Sequence, residues 1–166
     1  MSPPITTRAI ADADLAEISR LHARAFGPGR FARSAYRVRE GTAPVSPYCR
    51  AALLGNRLIA ALRMTEARIG TTGGALLLGP LAVDPDFVNQ GLARRLVGEA
   101  IEAARAGGVR LVLLGGDMPY YGRFGFQPVP RGQIVFPGPV DPARILALEL
   151  APGALADYRG LVAAER

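Results

Sequence analysis

The segment LGPLAVDPDFVNQGLARRLVGEAIEAA, residues 78–104, restricts the available folds more than any other part of the chain. Its first half belongs to an apolar run, Gly74 to Asp84, which predicts a strand buried on both faces. Its second half, Gly91 to Arg105, carries apolar residues at helical spacing and predicts an amphipathic helix. A second buried strand, Arg110 to Leu114, follows. This order predicts a parallel crossover unit at the centre of a mixed α/β fold.

The segments on either side of this unit predict an antiparallel sheet with flanking helices. Helical periodicity predicts a helix from Asp12 or Asp14 to Phe26, with His22 packed on its apolar face, and a second helix over Phe31 to Glu40. Two strands joined by the turn Gly55-Asn56 predict a hairpin. The expected strands are Pro3 to Ile10, Tyr48 to Leu54, Arg57 to Ile69, Phe126 to Val129 and Ile145 to Leu150, with a short helix at Pro119 to Phe124 and a Pro/Gly-rich loop over Pro130 to Pro142.

The composition predicts a single domain over residues 1–166, without a metal site or a membrane span. A chain of 166 residues with 49% hydrophobic residues suits one ordered domain. One cysteine, Cys49, and one histidine, His22, exclude a disulfide framework and a Cys/His zinc site. No apolar run approaches the roughly 20 residues of a membrane-spanning helix, and the N-terminus has no signal-peptide pattern. We therefore expect a cytoplasmic protein.

The charge of the chain is strongly basic, with a formal net charge of +6 and arginine at all 20 basic positions. Such a balance suits an anionic ligand or a nucleic acid. The arginines are scattered through a chain rich in Ala, Gly and Pro, which indicates a compositional bias rather than a nucleic-acid interface. The exception is one cluster at the second predicted helix, formed by Arg30 just before it and by Arg33, Arg37 and Arg39 within it.

The start of the amphipathic helix has the chemistry of a diphosphate site. Gly91 has no Cβ and Ala93 has a small side chain, so another group can approach the backbone closely. The first-turn N–H groups have no partners inside the helix, and the helix dipole favours an anion there. Arg94 adds a cation in the same turn. A P-loop is excluded because the chain has no lysine.

Two motifs in this order resemble the GCN5-related N-acetyltransferase (GNAT) superfamily. The acyl-CoA signature [R/Q]-x-x-G-x-[G/A] falls on Val88 to Ala93, and a Tyr-x-x-x-Gly-Phe element falls on Tyr121 and Gly125-Phe126. The second block, with the tail from Ala147 to Leu155, is similar to the YhbS-like acetyltransferase branch. The resemblance implies a mixed, mostly antiparallel sheet with a central, splayed parallel strand pair, flanked by helices.

The resemblance also implies acetyl-CoA as co-substrate, with its pantetheine arm along the strand before the helix and its diphosphate on the helix N-terminus. Two positions depart from the pattern of the family: Val88 stands where Arg or Gln is usual, and Leu114 stands where many relatives have Asn. The cofactor-binding residues expected from the resemblance are Leu81, Ala82, Val83, Val88, Asn89, Gln90, Gly91, Leu92, Ala93 and Arg94.

The implied reaction is direct attack of a primary amine on the thioester, within a ternary complex. The Leu81 N–H would stabilise the oxyanion, and Tyr121 would protonate the thiolate. A tyrosine with a pKa of about 10 can protonate a thiolate whose conjugate acid has a pKa of about 8.5.

The general base stays open. Some relatives carry a glutamate where this chain has Leu77. Glu66 on the adjacent strand is one candidate for the base, and its alternative role is that of an ordinary solvent-facing strand residue. Asp117 is a second candidate, and its alternative role is to cap the short helix that follows it. The expected partner is a small-molecule or peptide amine, and a homodimer is compatible with the family. A non-catalytic acyl-CoA sensor is the alternative function.

Overall fold

The computed structural model describes residues 4–26 and 45–165, and the predicted helix over Phe31 to Glu40 with its arginine cluster lies outside them. Within the described residues the sheet has nine strands, and most of them form from the apolar runs found in the sequence. Each long strand carries several fully buried side chains. The strands are β1 Ile5–Ala9, β2 Arg50–Leu54, β3 Arg57–Ile69, β4 Thr72–Val83, β5 Leu111–Gly115, β6 Gln127–Pro128, β7 Ile134–Val135, β8 Ile145–Glu149 and β9 Gly160–Ala164.

The strand order is β1-β2-β3-β4-β5-β8-β6, and β9 pairs with both β3 and β7. Neighbours along the main path are antiparallel, except that β4 and β5 run parallel. The short β7–β9 pair is also parallel. The parallel β4–β5 pair is joined by a crossover connection that contains a helix, as is usual for parallel strands. The predicted fold class, a mostly antiparallel mixed sheet with a central parallel pair, is confirmed.

In the part of the chain that the structure describes, three α-helices accompany the sheet: α1 Leu15–Phe26, α2 Leu92–Ala106 and α3 Met118–Tyr121. Helix α1 buries Ile18, Leu21 and His22, so His22 packs in the core as predicted. Helix α2 buries the apolar stripe expected from its periodicity, which comprises Leu92, Leu96, Val97, Ala100, Ile101 and Ala104.

Among the described residues, the core consists of two clusters of buried residues. The larger cluster joins α1 and α2 to strands β2, β3 and β4. The smaller cluster joins the alternate side chains of β4 and β5, such as Leu77 and Leu113, to Phe136 and Tyr158 from the C-terminal third. Tyr158 is fully buried, and its hydroxyl donates a 2.7 Å hydrogen bond to the Gly73 carbonyl.

Strands β7 and β9 were not predicted from the sequence. Strand β7 has only two residues, too few for an alternating pattern to show. Strand β9 follows a turn at Gly153 and pairs with the far end of β3, where Ala67 lies opposite Ala164. A pairing between segments almost 100 residues apart leaves no local sequence signal.

Candidate active site

Strands β4 and β5 pair over three residues only, and this creates the opening of the candidate site. The pairing runs from Ala75 opposite Leu111 to Leu77 opposite Leu113. Beyond it, Leu81 and its neighbours still pair with β3, while Leu114 and Gly115 continue towards β8. Beyond Leu77, the side of β4 that faces away from β3 therefore has no strand partner among the described residues. A strand edge of this kind can receive an extended ligand.

A bulge bends β4 at the same place. Leu62 of β3 lies opposite Leu81 and Met64 lies opposite Leu78, so Gly79 and Pro80 together oppose a single residue of β3. An extra residue of this kind bends the strand and locally disrupts its ladder. Gly79 has a φ of +120°, which favours glycine, and Pro80 has no N–H to donate. The sequence Gly79-Pro80 thus supports the separation of β4 from β5.

A cleft of about 240 Å³ occupies the gap between the two strands. The described residues around it are mostly apolar and come from β4, β5, α3 and the loop before β8. Its backbone includes Leu81, the residue expected to donate the oxyanion N–H, and its side chains include Tyr121. The lining residues are Leu77, Leu78, Gly79, Pro80, Leu81, Leu114, Gly115, Tyr121, Phe136, Pro139 and Val140.

A second opening, a groove of about 460 Å³, lies at the start of α2. Gly91 is the N-cap residue of α2 with φ +76° and ψ 11°, and Asn89 also has a positive φ of 64°. A Cβ built on Gly91 meets no protein atom within 4 Å, so the space in front of it is open. The groove is lined by Val83, Phe87, Val88, Asn89, Gly91, Leu92, Ala93, Arg94, Tyr120 and Arg123.

Two arginines make the groove electropositive. Arg94 lies in the first turn of α2, and Arg123 follows α3; both also line the adjoining surface depression. The Arg123 guanidinium lies 4.8 Å from the centre of the Tyr120 ring, a distance at which a cation and an aromatic face attract each other. The helix dipole adds positive potential at the same place. The groove therefore suits an anionic group such as a diphosphate.

A buried carboxylate fixes the backbone between the cleft and the groove. Asp84 follows directly after β4 and is fully buried. Its carboxylate accepts hydrogen bonds from Arg24, Arg57 and the Asp86 N–H. Burial alone would raise the pKa of Asp84, but the Asp86 N–H, Arg57 and Arg24 together hold it below its ordinary value. Asp84 thus anchors the end of β4 to α1 and to the start of β3.

Tyr121 ends α3 and lies half-buried in the wall of the cleft. Its ring packs edge-on against Phe126 at 5.8 Å between centroids and against Tyr120 at 4.8 Å. A Cβ at Gly116 would lie only 2.7 Å from the Tyr121 ring, so glycine is needed there for the ring to take this position. Tyr120 and Tyr121 therefore face different openings, the groove and the cleft respectively.

Most of the predicted cofactor-binding residues line one of the two openings. Leu81 lines the cleft, and seven others line the groove; Ala82 is buried at 2% exposure, and Gln90 is exposed beside the groove without lining it. The seven groove residues are Val83, Val88, Asn89, Gly91, Leu92, Ala93 and Arg94.

Glu66, the candidate base, is not brought to the cleft. It is exposed and lies opposite Leu76, whereas the residue opposite Leu81 is Leu62. Four residues of extended chain separate the two positions on β3, a distance of about 13 Å. Asp117 occupies the N-cap position of α3, in agreement with its alternative role, although its side chain makes no capping hydrogen bond.

Sequence reasoning missed three residues that line the groove, namely Phe87, Tyr120 and Arg123. Arg123 stands inside the second motif, two residues after Tyr121, and its spacing could have marked it as a second cation near the helix N-terminus. The side chain of Asp84 was also missed. Its partners Arg24 and Arg57 lie 60 and 27 residues away along the chain, so no local sequence pattern indicates these contacts.

The sequence from residue 6 to residue 129 matches the family described as Acetyltransferase (GNAT) domain. The chain belongs to the GNAT acetyltransferase family. The splayed β4–β5 pair and the groove at the start of α2 are the parts of this GNAT domain that carry its two motifs.

The relatives of this GNAT domain include an uncharacterised N-acetyltransferase, YhbS of Escherichia coli, which is 35% identical over 85 residues. The aligned part spans about half of each chain, 51%. The crystal structure of E. coli YhbS in complex with CoA superposes with a TM-score of 0.81 at 25% identity, covering 99% of this chain and 92% of that one. A GNAT acetyltransferase of Brucella melitensis in complex with acetyl-CoA, 24% identical, has the same fold, with a TM-score of 0.75 and coverage of 98% and 96%.

Two further features of the described residues concern metals and membranes. Within residues 4–26 and 45–165, no group of three or more His, Cys, Asp or Glu side chains is arranged to hold a metal ion. In the same part of the chain, no helix has the length and apolar character needed to cross a membrane.

Proposed function

We propose that the protein transfers the acetyl group of acetyl-CoA to a primary amine, by direct attack of the amine in a ternary complex. The observation that carries this proposal is the placement of the two openings along one strand. Val83 lines the groove and Leu81 lines the cleft, so a single residue of β4, Ala82, lies between them. A ligand with an anionic end and a reactive thioester end fits this arrangement. The CoA and acetyl-CoA complexes of the E. coli and Brucella relatives support it.

In this proposal the backbone N–H groups of Asn89 to Ala93 hold the diphosphate, with Arg94 and Arg123 adding charge. The pantetheine arm lies along Leu81 to Val83, on the edge of β4 that β5 leaves free. Backbone donors at a helix N-terminus need no side chain from Val88, which is 50% exposed. The Val88 departure from the family pattern therefore has little effect on binding.

The acetyl group then lies in the cleft, beside the Leu81 backbone and the Tyr121 side chain. The Leu81 N–H stabilises the oxyanion that forms as the amine attacks. Tyr121 protonates the departing thiolate. We do not assign the base to Glu66, because its position on β3 is about 13 Å away from the one opposite Leu81.

The test combines calorimetry with acetyl-CoA and an assay of thiol release across a panel of primary amines. We expect acetyl-CoA to bind and at least one amine to be acetylated, with the product identified by mass spectrometry. Binding of acetyl-CoA without turnover on any amine would favour the non-catalytic sensor instead. Failure to bind at high micromolar acetyl-CoA would refute both functions.

A further inference from the structure

A surface depression of about 470 Å³ adjoins the groove at the start of α2. It is lined by Arg94, Pro119, Arg123 and Phe124. Arg94 and Arg123 line the groove as well, whereas none of the described residues lines both the depression and the cleft. The groove therefore lies between the other two openings, and the three follow one another in the order cleft, groove, depression.

The two arginines shared by the groove and the depression are free to bind a ligand. Within the described part of the chain, no carboxylate forms an ion pair with Arg94 or Arg123. Arg95, the neighbour of Arg94 on α2, instead pairs with Glu99 at 3.3 Å. None of the described residues that line the groove or the depression is acidic. An anion bound there meets two positive charges and no negative side chain among the lining residues.

Arg123 is held in place by an aromatic cluster. Its guanidinium lies 4.8 Å from the centre of the Tyr120 ring, and that ring packs against Phe124 at 5.9 Å between centroids. A cation over an aromatic face is attracted to it, so the contact restricts the arginine before any ligand binds. A side chain that is already ordered loses less conformational freedom on binding. The planar guanidinium also presents paired donors that match the oxygens of a phosphate.

Coenzyme A carries two anionic groups at its nucleotide end. One is the diphosphate, which the proposed function places at the start of α2. The other is the phosphate on the 3′ oxygen of the ribose, a monoester with a charge of about −1.5 to −2 at pH 7. The helix N-terminus supplies the equivalent of about half a positive charge, and Arg94 adds one in the first turn. These two contributions face the diphosphate and leave Arg123 for the monoester.

We propose that Arg123 binds the 3′-phosphate of coenzyme A in the depression and makes the protein select CoA over dephospho-CoA, which has a hydroxyl group in its place. The inference rests on the acetyl-CoA binding of the proposed function. The thioester, diphosphate and nucleotide of acetyl-CoA follow one another in the same order as the cleft, the groove and the depression. Pro119 and Phe124 offer the adenine base an apolar surface beside the phosphate. Arg123 is thus a specificity-determining residue for the acetyl donor.

The experiment measures the dissociation constants of CoA and dephospho-CoA by calorimetry, with the full chain. We expect the wild type to bind CoA at least about tenfold more tightly, because a charged, bidentate contact is lost with the phosphate. In Arg123→Gln this ratio should fall below about threefold, since the variant loses the same contact. The affinity for dephospho-CoA should change much less than the affinity for CoA. Arg123 is exposed, so the variant should fold normally.

Two further arginine variants separate a specific contact from a general loss of charge. Arg94→Gln removes one charge from the same groove, but it should weaken both ligands by the same factor and keep the wild-type ratio. Arg105→Gln is the neutral control, because Arg105 lies at the other end of α2, about 16 Å along the helix axis. It should change neither dissociation constant.

The aromatic support of Arg123 has its own test. Tyr120→Leu removes the ring beneath the guanidinium, so the ratio of the two dissociation constants should fall at least about twofold. Tyr120→Phe keeps the ring and should keep the wild-type ratio. A ratio that stays the same in both variants would contradict the positioning of Arg123 by Tyr120.

Equal affinity of the wild type for CoA and dephospho-CoA would overturn the inference. An unchanged ratio in Arg123→Gln, or an equal fall of the ratio in Arg94→Gln, would overturn the assignment to Arg123. Each of these results leaves the acetyltransferase function in place if acetyl-CoA binds and an amine is acetylated. Absence of binding of either ligand would refute that function as well, so the two failures are distinguishable.

Discussion

Arg24 of α1 donates two hydrogen bonds, of 2.6 and 3.0 Å, to the fully buried carboxylate of Asp84 at the end of β4. Arg57 donates a third bond of 2.9 Å from the start of β3. Charged, bidentate bonds of this kind are among the strongest hydrogen bonds in proteins. These bonds hold the end of β4, which precedes the groove, against α1 and the start of β3. The loop from Asp84 to Gly91 therefore starts from a fixed point.

Replacement of this carboxylate should destabilise the fold. In Asp84→Asn the two arginines lose the buried counter-charge of Asp84, but each is about half exposed and can turn towards water. We therefore expect a loss of about 2–3 kcal/mol in the free energy of unfolding, below the usual cost of breaking a fully buried pair. Urea unfolding measures this. Asp86→Asn is the control, because Asp86 is 72% exposed and lies 3.7 and 3.9 Å from the same arginines. It should cost less than about 1 kcal/mol. Equal costs would contradict the anchoring role of Asp84.

The contribution of Asp84 should also depend on pH. The pKa of its carboxyl is lower in the folded protein than the value of about 3.9 in the unfolded chain. Its stabilisation is therefore complete above about pH 5 and is lost as the pH falls through 3.9 towards the folded pKa. The difference in unfolding free energy between wild type and Asp84→Asn should shrink between pH 6 and pH 3.5. Other lowered carboxyls, such as Glu99 beside Arg50, affect both proteins equally and cancel. A constant difference across this range would be inconsistent with a lowered pKa.

Adding one methyl group at Gly91, the N-cap residue of α2, should weaken the binding of acetyl-CoA in the groove. Gly91→Ala forces alanine into the left-handed region, which costs about 1–2 kcal/mol of stability. Its Cβ also enters the space proposed for the diphosphate, so acetyl-CoA affinity should fall at least tenfold, or about 1.4 kcal/mol. Gly153→Ala is a close control, because Gly153 is an N-cap with φ +77° and open space at its Cβ. It should lose the same stability and no affinity, as measured by calorimetry. Equal affinity losses would place the diphosphate elsewhere.

The sequence predicted those features of the fold that depend on residues close together in the chain. The stripe of α2 follows from apolar periodicity and the β2–β3 hairpin from two strand patterns joined by the turn Gly55-Asn56, so their existence and type were predicted correctly. The need for glycine at position 91 was predicted from close approach alone, whereas the structure adds a backbone reason, its φ of +76°. The Asp84 contacts and the pairing of β9 with β3 depend on distant segments. Such contacts depend on the tertiary packing of distant segments, and the pattern of a single sequence does not indicate which segments meet.

Gly116 should act as a positioning residue for Tyr121. In Gly116→Ala the new Cβ would lie 2.7 Å from the Tyr121 ring and 2.9 Å from Leu114, well inside the usual contact distance of roughly 3.5–4.0 Å. The ring must move, so turnover should fall at least tenfold while acetyl-CoA affinity stays within about threefold. Overpacking should cost about 1–3 kcal/mol of stability. Gly98→Ala in α2 is the control, since nothing lies within 4 Å of its Cβ; it should gain about 0.5–1 kcal/mol and keep full turnover. Unchanged turnover in Gly116→Ala would show that the ring position is not critical.

Tyr121→Phe tests the proposed acid directly. The change removes one hydroxyl and keeps the ring, so the packing against Tyr120 and Phe126 should survive. If the hydroxyl protonates the leaving thiolate, turnover should fall by roughly 10²–10⁴ while acetyl-CoA affinity changes little. Tyr120→Phe is the matched control, because Tyr120 lines the groove and its contact with Arg123 uses the ring rather than the hydroxyl. That variant should keep wild-type turnover.

The measurements are turnover on the best amine and the acetyl-CoA dissociation constant of each variant. A Tyr121→Phe protein that retains more than about a third of wild-type turnover would remove the acid role, because acid–base groups contribute far more than threefold. Thiolate departure without assistance would then be favoured, since a thiol with a pKa of about 8.5 is a good leaving group near neutral pH.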